Sequence, residues 1–482
     1  MPKSARFIAV FCTALLLTFN SISLFAAEYD LVIQGGRVID PETRLDAVRN
    51  VGIKDGRIAA IAEYPLPAAK TLDASGLVIA PGFIDLHAHG QNTVSQTYQV
   101  RDGVTTALEL EIGAYEVARL LVERDGSALI NYGYSAGFGD ARGIVKDGDP
   151  KRTFHETSTP QELARTVELI EETLANGGLG IGVPLDYLSL GVNTAELEAL
   201  FRISAKWQMP LFVHARMPDD VNDPSGFAEL IDLTRETGGK LHMVHLVSTG
   251  GRRVPQFLRM MADAQAEGLD VTTEAYPYTA GSTFINSGIF DHDWQTKFGV
   301  SYDAIEWPLT GERFTGKKMW DEYRAQYPEG TIIIHAMTEE QVEQAYSHPG
   351  VIVASDGMLI ESLDQRAHPR GMGTYARVLG HYVRERGVMT LMDAISRSSL
   401  LPARRLENFA PVFKRKGRVQ VGADADLTIF DPETVIDRAT FAEPNQFSKG
   451  VVHVLVNGTV VVRDEELVKA TFPGKPLSTQ TR

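Results

Sequence analysis

A repeated alternation of strand and helix patterns between residues 81 and 405 constrains the fold of this chain more than any other feature. Short apolar runs of strand length are separated by amphipathic stretches of helical period, such as residues 160–176 and 193–207. Because parallel strands need a crossover of a dozen or more residues, usually a helix, this order predicts a parallel sheet. No G-x-G-x-x-G segment follows the first strand, which disfavours an open dinucleotide-binding sheet. We therefore predict an α/β fold built on a (β/α)8 TIM-like barrel.

The candidate strands exceed the eight positions of such a barrel by one. We assign the surplus to an insertion at residues 289–350, which is placed to cover a site at the mouth of the barrel. The candidate strands are residues 83–89, 104–111, 128–134, 179–185, 211–214, 241–245, 270–276, 331–335 and 351–354.

Both flanks of the barrel segment have a different texture, in which short β-type runs alternate with turns. Residues 28–80 have this pattern, and it returns in residues 406–475. Asn457-Gly458 lies between two apolar runs, which is the strongest short-range signal for a hairpin. We predict one small β-sandwich domain built from both ends of the chain.

The first 27 residues resemble a secretory signal. Lys3 and Arg6 form a positive start, residues 7–17 are mostly apolar, and Ala26 and Ala27 end the segment with small side chains. A membrane anchor is the alternative, but the apolar run is shorter than the roughly 20 residues needed to span a bilayer. We expect a cleaved signal, no stable membrane span, and a periplasmic or secreted protein.

The net charge and the cysteine content limit the partners and the metal ligands that this chain can have. The chain has 47 Lys and Arg against 62 Asp and Glu, a net charge of −15, with no basic run to neutralise a phosphate backbone. Nucleic acid is therefore not an expected partner. The single cysteine, Cys12, lies within the predicted signal. A metal would consequently be held by histidines and carboxylates.

Histidines stand at the ends of three candidate strands, where a barrel carries its functional groups. His87 and His89 are two residues apart, so they face the same side of a strand and can bind one metal together. His214 and His245 end two later strands. His242 lies three residues before His245, which predicts that only one of these two faces the interior, and we choose the terminal His245.

Three carboxylates are candidates for the same site. Glu109 and Glu111 share one face of their strand, and burying both would be unfavourable without a cation. The alternative is that this face is solvated. We choose Glu111 as a bridging ligand because it is nearer the end of the strand, with Glu109 as the second choice. Asp356 follows the last strand and is a candidate ligand or base, although Ser355 and Asp356 are also good helix N-caps.

These residues lie in segments that resemble the amidohydrolase superfamily, most closely its N-acyl-D-amino-acid deacylases. The superfamily segments are APGFIDLHAH (80–89), GVTT (103–106) and GADADL (422–427). The deacylase-like segments are EAYPYTAGST (274–283), GVPLDY (182–187), HPRG (368–371) and GTY (373–375). The resemblance covers nearly the whole mature chain and implies a metal-bearing barrel with a β-sandwich formed by both termini.

The resemblance also implies site residues. It places one or two Zn²⁺ ions on His87, His89, His214 and His245, and the catalytic carboxylate on Asp356. Two family features are missing. No cysteine stands near the end of the second strand and no lysine in the fourth, so Glu111 is the remaining bridge. Val247 replaces a basic residue that the family tends to have, so recognition of a substrate carboxylate must differ.

The expected reaction is hydrolysis of a linear amide, most simply an N-acyl-D-amino acid, by a metal-activated hydroxide with Asp356 as general base and acid. Tyr187 and Tyr276 are candidate substrate contacts, and Arg370 is our choice to pair with a substrate carboxylate. The other arginines considered are Arg216, Arg252 and Arg366. Alternatives are a cyclic amidase of the hydantoinase or dihydroorotase type, a dipeptidase of the same superfamily, and an inactive barrel that serves as a binding protein.

Overall fold

The structure, a computed structural model, describes residues 29–218, 220 and 222–481, and the predicted signal lies outside them. The strands, in chain order, are β1 (Leu31–Asp40), β2 (Leu45–Lys54), β3 (Arg57–Ala62), β4 (Thr71–Asp73), β5 (Val78–Pro81), β6 (Phe83–Asp85), β7 (Val104–Ala114), β8 (Asn131–Gly137), β9 (Ile181–Val183), β10 (Pro210–Val213), β11 (Lys240–Met243), β12 (Val271–Ala275), β13 (Gly281–Phe284), β14 (Ile305–Trp307), β15 (Glu312–Arg313), β16 (Thr331–Ile334), β17 (Val351–Val353), β18 (Leu427–Phe430), β19 (Val451–Val456), β20 (Thr459–Arg463) and β21 (Glu466–Leu467).

Helices connect most of the central strands. Two π-helical segments, Val378–Glu385 and Ser396–Leu400, directly follow the α-helices Arg370–Arg377 and Leu391–Ile395. The α-helices are α1 (Thr93–Arg101), α2 (Val117–Glu123), α3 (Phe138–Val145), α4 (Pro150–His155), α5 (Pro160–Ala175), α6 (Thr194–Trp207), α7 (Ser225–Thr237), α8 (Leu246–Gly250), α9 (Val254–Ala266), α10 (Trp294–Phe298), α11 (Lys317–Gln326), α12 (Glu339–Ser347), α13 (Arg370–Arg377), α14 (Leu391–Ile395) and α15 (Leu401–Leu406).

The predicted barrel is confirmed. Eight strands pair in parallel in the order β6-β7-β8-β9-β10-β11-β12-β17. A bridge between Ala88 and Gly357, just beyond β6 and β17, joins the two ends of this sheet. A buried cluster of apolar side chains inside the barrel includes Leu108, Phe212 and Ile352. Polar groups are consequently concentrated at the end where the strands finish.

The surplus candidate strand, residues 331–335, corresponds to β16, which lies outside the barrel sheet. Strands β13 to β16 form a separate antiparallel sheet in the order β13-β16-β14-β15, over a core that contains Trp294, Trp307 and Trp320. This sheet begins at Gly281, eight residues before residue 289, the start predicted from the sequence. Helix α12, within the predicted insertion, packs against the barrel helix α9. A buried ion pair, Lys297 Nζ to Asp186 Oδ1 at 2.8 Å, ties the insertion to the barrel.

Both ends of the described chain build the β domain. Its strands form one connected sheet in the order β21-β20-β19-β18-β5-β1-β2-β3, with β4 paired to β1. A bulge between Ile33 and Gly36 bends β1, which pairs with β4 before the bend and β5 after it. The bent sheet encloses its own apolar core. The tail continues past residue 475, and Leu477 N donates to Tyr132 O at 2.7 Å beside the barrel.

Among the described residues, no helix combines the length and the apolar character needed to cross a membrane.

Candidate metal centre

Five residues from four strand ends converge on one point at the mouth of the barrel. His87 Nε2 and His89 Nε2, after β6, lie 3.1 Å apart. Glu111 Oε2, on β7, is 3.0 Å from the first and 3.3 Å from the second. The other oxygen, Glu111 Oε1, lies 2.8 Å from His214 Nδ1 and 3.3 Å from His245 Nε2. One buried carboxylate therefore joins two pairs of imidazoles from sites that are distant in sequence.

These donor atoms fit divalent metal ions. The two groups, His87 with His89 and Glu111, and Glu111 with His214 and His245, each place their ligand atoms within 4.8 Å of one another. Tetrahedral zinc with bonds of about 2.0–2.2 Å has ligand atoms about 3.3 Å apart, close to the separations observed here. Nitrogen and carboxylate oxygen are ligands that Zn²⁺ accepts. The shared Glu111 gives the site the layout of a two-metal centre.

The negative charge of the carboxylates around the imidazoles also favours a bound cation. Burial opposes a charged His87, but the carboxylates of Asp356, Glu111 and Glu274 overcome this and raise its pKa well above the usual value. The pKa of His89 is raised well above its usual value too, since Glu109 and Asp356 outweigh its burial. Several buried carboxylates thus surround the histidines with an excess of negative charge, which divalent ions would neutralise.

Asp356 lies at the edge of this cluster. Its Oδ1 is 3.4 Å from His87 Nε2 and 3.3 Å from His89 Nε2, and its Oδ2 is 2.8 Å from Arg370 Nη1. Its backbone has a φ of 52° and its N–H donates to His87 O at 2.8 Å, which fixes the residue beside β6. Burial raises the pKa of this carboxyl. Arg370 and His87 lower the pKa by more than burial raises it, so the net pKa is below the usual value.

Glu109 and Glu111 are both buried, which excludes the solvated alternative, and they have different partners. Glu109 Oε2 lies 2.7 Å from His89 Nδ1, and Glu109 Oε1 accepts from Ile112 N at 3.2 Å. Glu109 therefore holds the far side of the His89 ring, away from the nitrogen that faces Glu111. Of the two, Glu111 is the carboxylate that contacts both pairs of histidines.

Glu274 was not among the predicted site residues, and the prediction for His242 is wrong. Glu274 Oε1, on β12, lies 2.7 Å from His87 Nδ1, and Oε2 lies 3.0 Å from His242 Nε2. The expectation that only one of His242 and His245 faces the interior is wrong. Strand β11 ends at Met243, and His245 has a φ of 35°, so the two-residue period no longer applies and both side chains point inward. A carboxylate at the end of a predicted strand was the available signal for Glu274.

The predicted substrate contacts also lie at this end of the barrel. The Tyr187 hydroxyl is 3.1 Å from Thr283 Oγ1, and its ring packs edge-on against His214. The Arg370 guanidinium lies over the Tyr276 ring, 4.6 Å from its centroid. Both the Tyr276 and the Arg370 side chains are buried.

The remaining candidate arginines lie elsewhere. Arg216 pairs with Glu229 at 2.9 Å. Arg366 donates to the carbonyls of Pro308, Phe441 and Ala442. Arg252 is exposed beside a separate cavity next to α8. Arg370 is the one of the four that contacts the cluster.

Two cavities open onto the cluster. A large one of about 670 Å³ is bounded at its inner end by His89, Glu111, His245 and Asp356. A small one of about 60 Å³ lies between Tyr276, Arg370, Ser248 and the histidines His214 and His245. Tyr187, Ser282 and Thr283 border both, so strand β13 supplies part of the wall.

Comparisons with known proteins agree with this architecture. A family model described as "Amidohydrolase family" matches residues 328–462. N-acyl-D-glutamate deacylase of Alcaligenes xylosoxydans xylosoxydans is 30% identical, over 90% of this chain and 93% of the relative. N-acyl-D-glutamate deacylase of Bordetella bronchiseptica, solved with zinc and a phosphonate inhibitor, has a TM-score of 0.78 at 28% identity, covering 93% and 99%. D-aminoacylase, solved in work on its binuclear metal centre, has a TM-score of 0.80 at 25% identity, covering 93% and 100%.

The barrel with its convergent histidines and carboxylates defines a metal-dependent amidohydrolase. Within that superfamily, the chain belongs to the D-aminoacylase family of N-acyl-D-amino-acid deacylases.

Proposed function

We propose that this protein is a zinc-dependent hydrolase that removes the acyl group from N-acyl-D-amino acids. The observation that carries the proposal is the Glu111 carboxylate shared by two pairs of histidines beside Asp356. Relatives named for N-acyl-D-amino acids span almost the whole chain, which supports the substrate class. The proposed ligands of one or two Zn²⁺ ions are His87, His89, Glu111, His214, His245 and Asp356.

Asp356 is the proposed general base and acid. When bound, the metal supplies Lewis-acid activation of a water molecule and of the amide carbonyl. The Asp356 carboxylate accepts the proton of the attacking water and returns it to the leaving amine nitrogen. Arg370, 2.8 Å away, keeps this carboxylate ionised and holds it in place. Glu274 and Glu109 orient the His87 and His89 rings through their Nδ1 atoms.

The carboxylate of the amino acid is proposed to enter the small cavity. The Arg370 guanidinium and the Tyr276 hydroxyl border it, and both side chains are buried. A carboxylate that accepts hydrogen bonds from both would be held by charge-assisted bonds. This arrangement replaces a basic side chain at Val247. Tyr187, held by Thr283, is the proposed donor to the rest of the substrate.

A stereochemical panel tests the function. The protein is stripped with a chelator, reloaded with Zn²⁺, and assayed for amine release from matched N-acetyl-D- and N-acetyl-L-amino acids, with hydantoin and dihydroorotate as further substrates. We expect turnover of D-isomers that requires metal. Preference for L-isomers or for the cyclic amides would overturn the assignment, and zinc-loaded protein without turnover would support a binding role.

We also propose, from the amino-terminal sequence, that the protein acts in the periplasm or outside the cell. Lys3, Arg6 and the apolar run at residues 7–17 support export. Fractionation of cells that express the full chain tests this. Recovery only in the cytosol would contradict it.

A further inference from the structure

The large cavity has an apolar wall that no other part of the described structure covers. Ile112, Phe154 and Phe284 line it and are 39%, 37% and 43% exposed. They come from three separate elements: β7, α4 and the insertion strand β13. Met358, which is half-buried, adds further apolar surface. Large apolar side chains grouped in one concavity, rather than scattered singly, are typical of a ligand-binding surface.

This apolar wall is continuous with the metal centre. The same cavity is bounded by His89, Glu111 and Asp356 at its inner end and reaches the exposed charged residues Lys151 and Glu329. A ligand that fills it therefore has one end at the reacting groups and a long body among apolar side chains.

The volume of the large cavity suits a long acyl group better than a short one. A space of about 670 Å³ is within the range of about 300–1,000 Å³ that holds ligands of drug size. The carboxylate of the amino acid is assigned to the small cavity of about 60 Å³ beside Arg370. An acetyl group would leave Ile112, Phe154 and Phe284 in contact with water.

We propose that this cavity binds a long alkanoyl chain, so that the substrates are long-chain N-acyl-D-amino acids. This inference rests on the proposed function and specifies its acyl group. Hydrolysis breaks the amide C–N bond, adds the water oxygen to the acyl carbon, and transfers a proton to the nitrogen. The products are a fatty acid, whose chain lies in the large cavity, and a free amino acid.

A chain-length series tests the inference. The value of kcat/KM is measured for acetyl, butanoyl, octanoyl and dodecanoyl derivatives of one D-amino acid. Each methylene group that becomes fully buried improves binding by about fourfold, so the six methylene groups added from acetyl to octanoyl give a ceiling of about 4,000-fold. We expect a rise of about 100-fold, mainly through KM. Equal or falling values of kcat/KM along the series would overturn the inference and leave the deacylase function intact.

Variants of the wall provide a second readout. Phe154→Ser and Ile112→Ser should reduce the ratio of octanoyl to acetyl kcat/KM by about tenfold each. Val122→Ser is the matched control, because Val122 is 76% exposed and does not line the cavity. If the two wall variants change the ratio no more than the control does, the chain does not lie on this wall.

Product binding separates the two proposals. Butanoate, octanoate and dodecanoate are titrated into the zinc-loaded protein by calorimetry. Tighter binding of longer acids that is weakened by Phe154→Ser supports the acyl site. Lack of hydrolysis of every N-acyl amino acid would refute the proposed function but would not affect this binding result. Affinity independent of chain length overturns the acyl site.

Discussion

Arg370 Nη1 lies 2.8 Å from Asp356 Oδ2, and both side chains are buried. The second nitrogen, Arg370 Nη2, donates to Ser282 O at 3.1 Å, so the guanidinium links the carboxylate to the insertion. Burial alone would raise the pKa of Asp356, and the adjacent Arg370 lowers it below the usual value. The carboxylate is therefore ionised, fixed, and directed through Oδ1 toward the histidines.

Replacing Asp356 by Asn should separate proton transfer from metal binding. We expect kcat to fall by about 10²–10⁴-fold, the range for loss of a general acid–base group. The metal content should be retained, because the imidazoles and Glu111 remain and the amide oxygen can still face the site. Steady-state kinetics and elemental analysis of the same sample check both parts. Asp364→Asn, at an exposed position, is the control, and unchanged kcat in Asp356→Asn would remove it from the mechanism.

Glu111→Gln and Glu109→Gln should differ in metal content. Glu111 contacts both pairs of histidines, so its replacement should release most of the bound metal. Glu109 contacts His89 Nδ1 on the outer side of the ring, so its replacement should weaken binding by about 10–100-fold at most. Metal titration of the stripped proteins measures the two affinities. The opposite order of effects would assign the bridge to Glu109.

The convergence of His87, His89, His214 and His245 was predictable because parallel barrel strands bring their carboxyl ends to one rim. This rule depends only on the order of strands and helices, which the apolar periodicity of the sequence already displays. The same order showed that one candidate strand was in excess, and Thr331–Ile334 indeed lies in the insertion.

Other features depend on contacts that no local pattern contains. The inward orientation of both His242 and His245 depends on the left-handed backbone at His245, a conformation uncommon for residues other than glycine. The contact of Glu274 with His87 depends on which side chains meet across the barrel interior. The start of the insertion sheet at Gly281 depends on its pairing with β16, far along the chain.

Glu42 should make stability depend on pH. Hydrogen bonds from Arg418, at 2.7 and 2.9 Å, lower the pKa of Glu42 from 4.5 to about 2. Since the folded pKa is the lower one, the contribution is complete above about pH 4.5 and is lost as the pH falls toward 2. Glu42→Gln should destabilise by about 1–2 kcal/mol at pH 7, discounted for partial exposure, and by less at pH 3.

Denaturant unfolding at pH 7, 4 and 3 measures this difference. Glu63→Gln is the control, because Glu63 pairs with Arg49 but is 77% exposed, and exposed pairs contribute little. A loss of stability in Glu42→Gln that stays constant between pH 7 and pH 3 would show that the ionised Glu42–Arg418 pair is not its cause.

Lys416 should be essential for the junction of the β domain and the barrel. Its buried Nζ lies 2.6 Å from Asp426 Oδ2, which also accepts from Asn131 Nδ2 of β8 at 3.1 Å. Removing the lysine leaves a buried carboxylate without its cation, so Lys416→Met should destabilise by about 3–5 kcal/mol. Lys414→Met, at an exposed position two residues earlier, should change the free energy of unfolding little. Equal denaturation midpoints for the two variants would show that the Lys416–Asp426 contact does not hold the junction together.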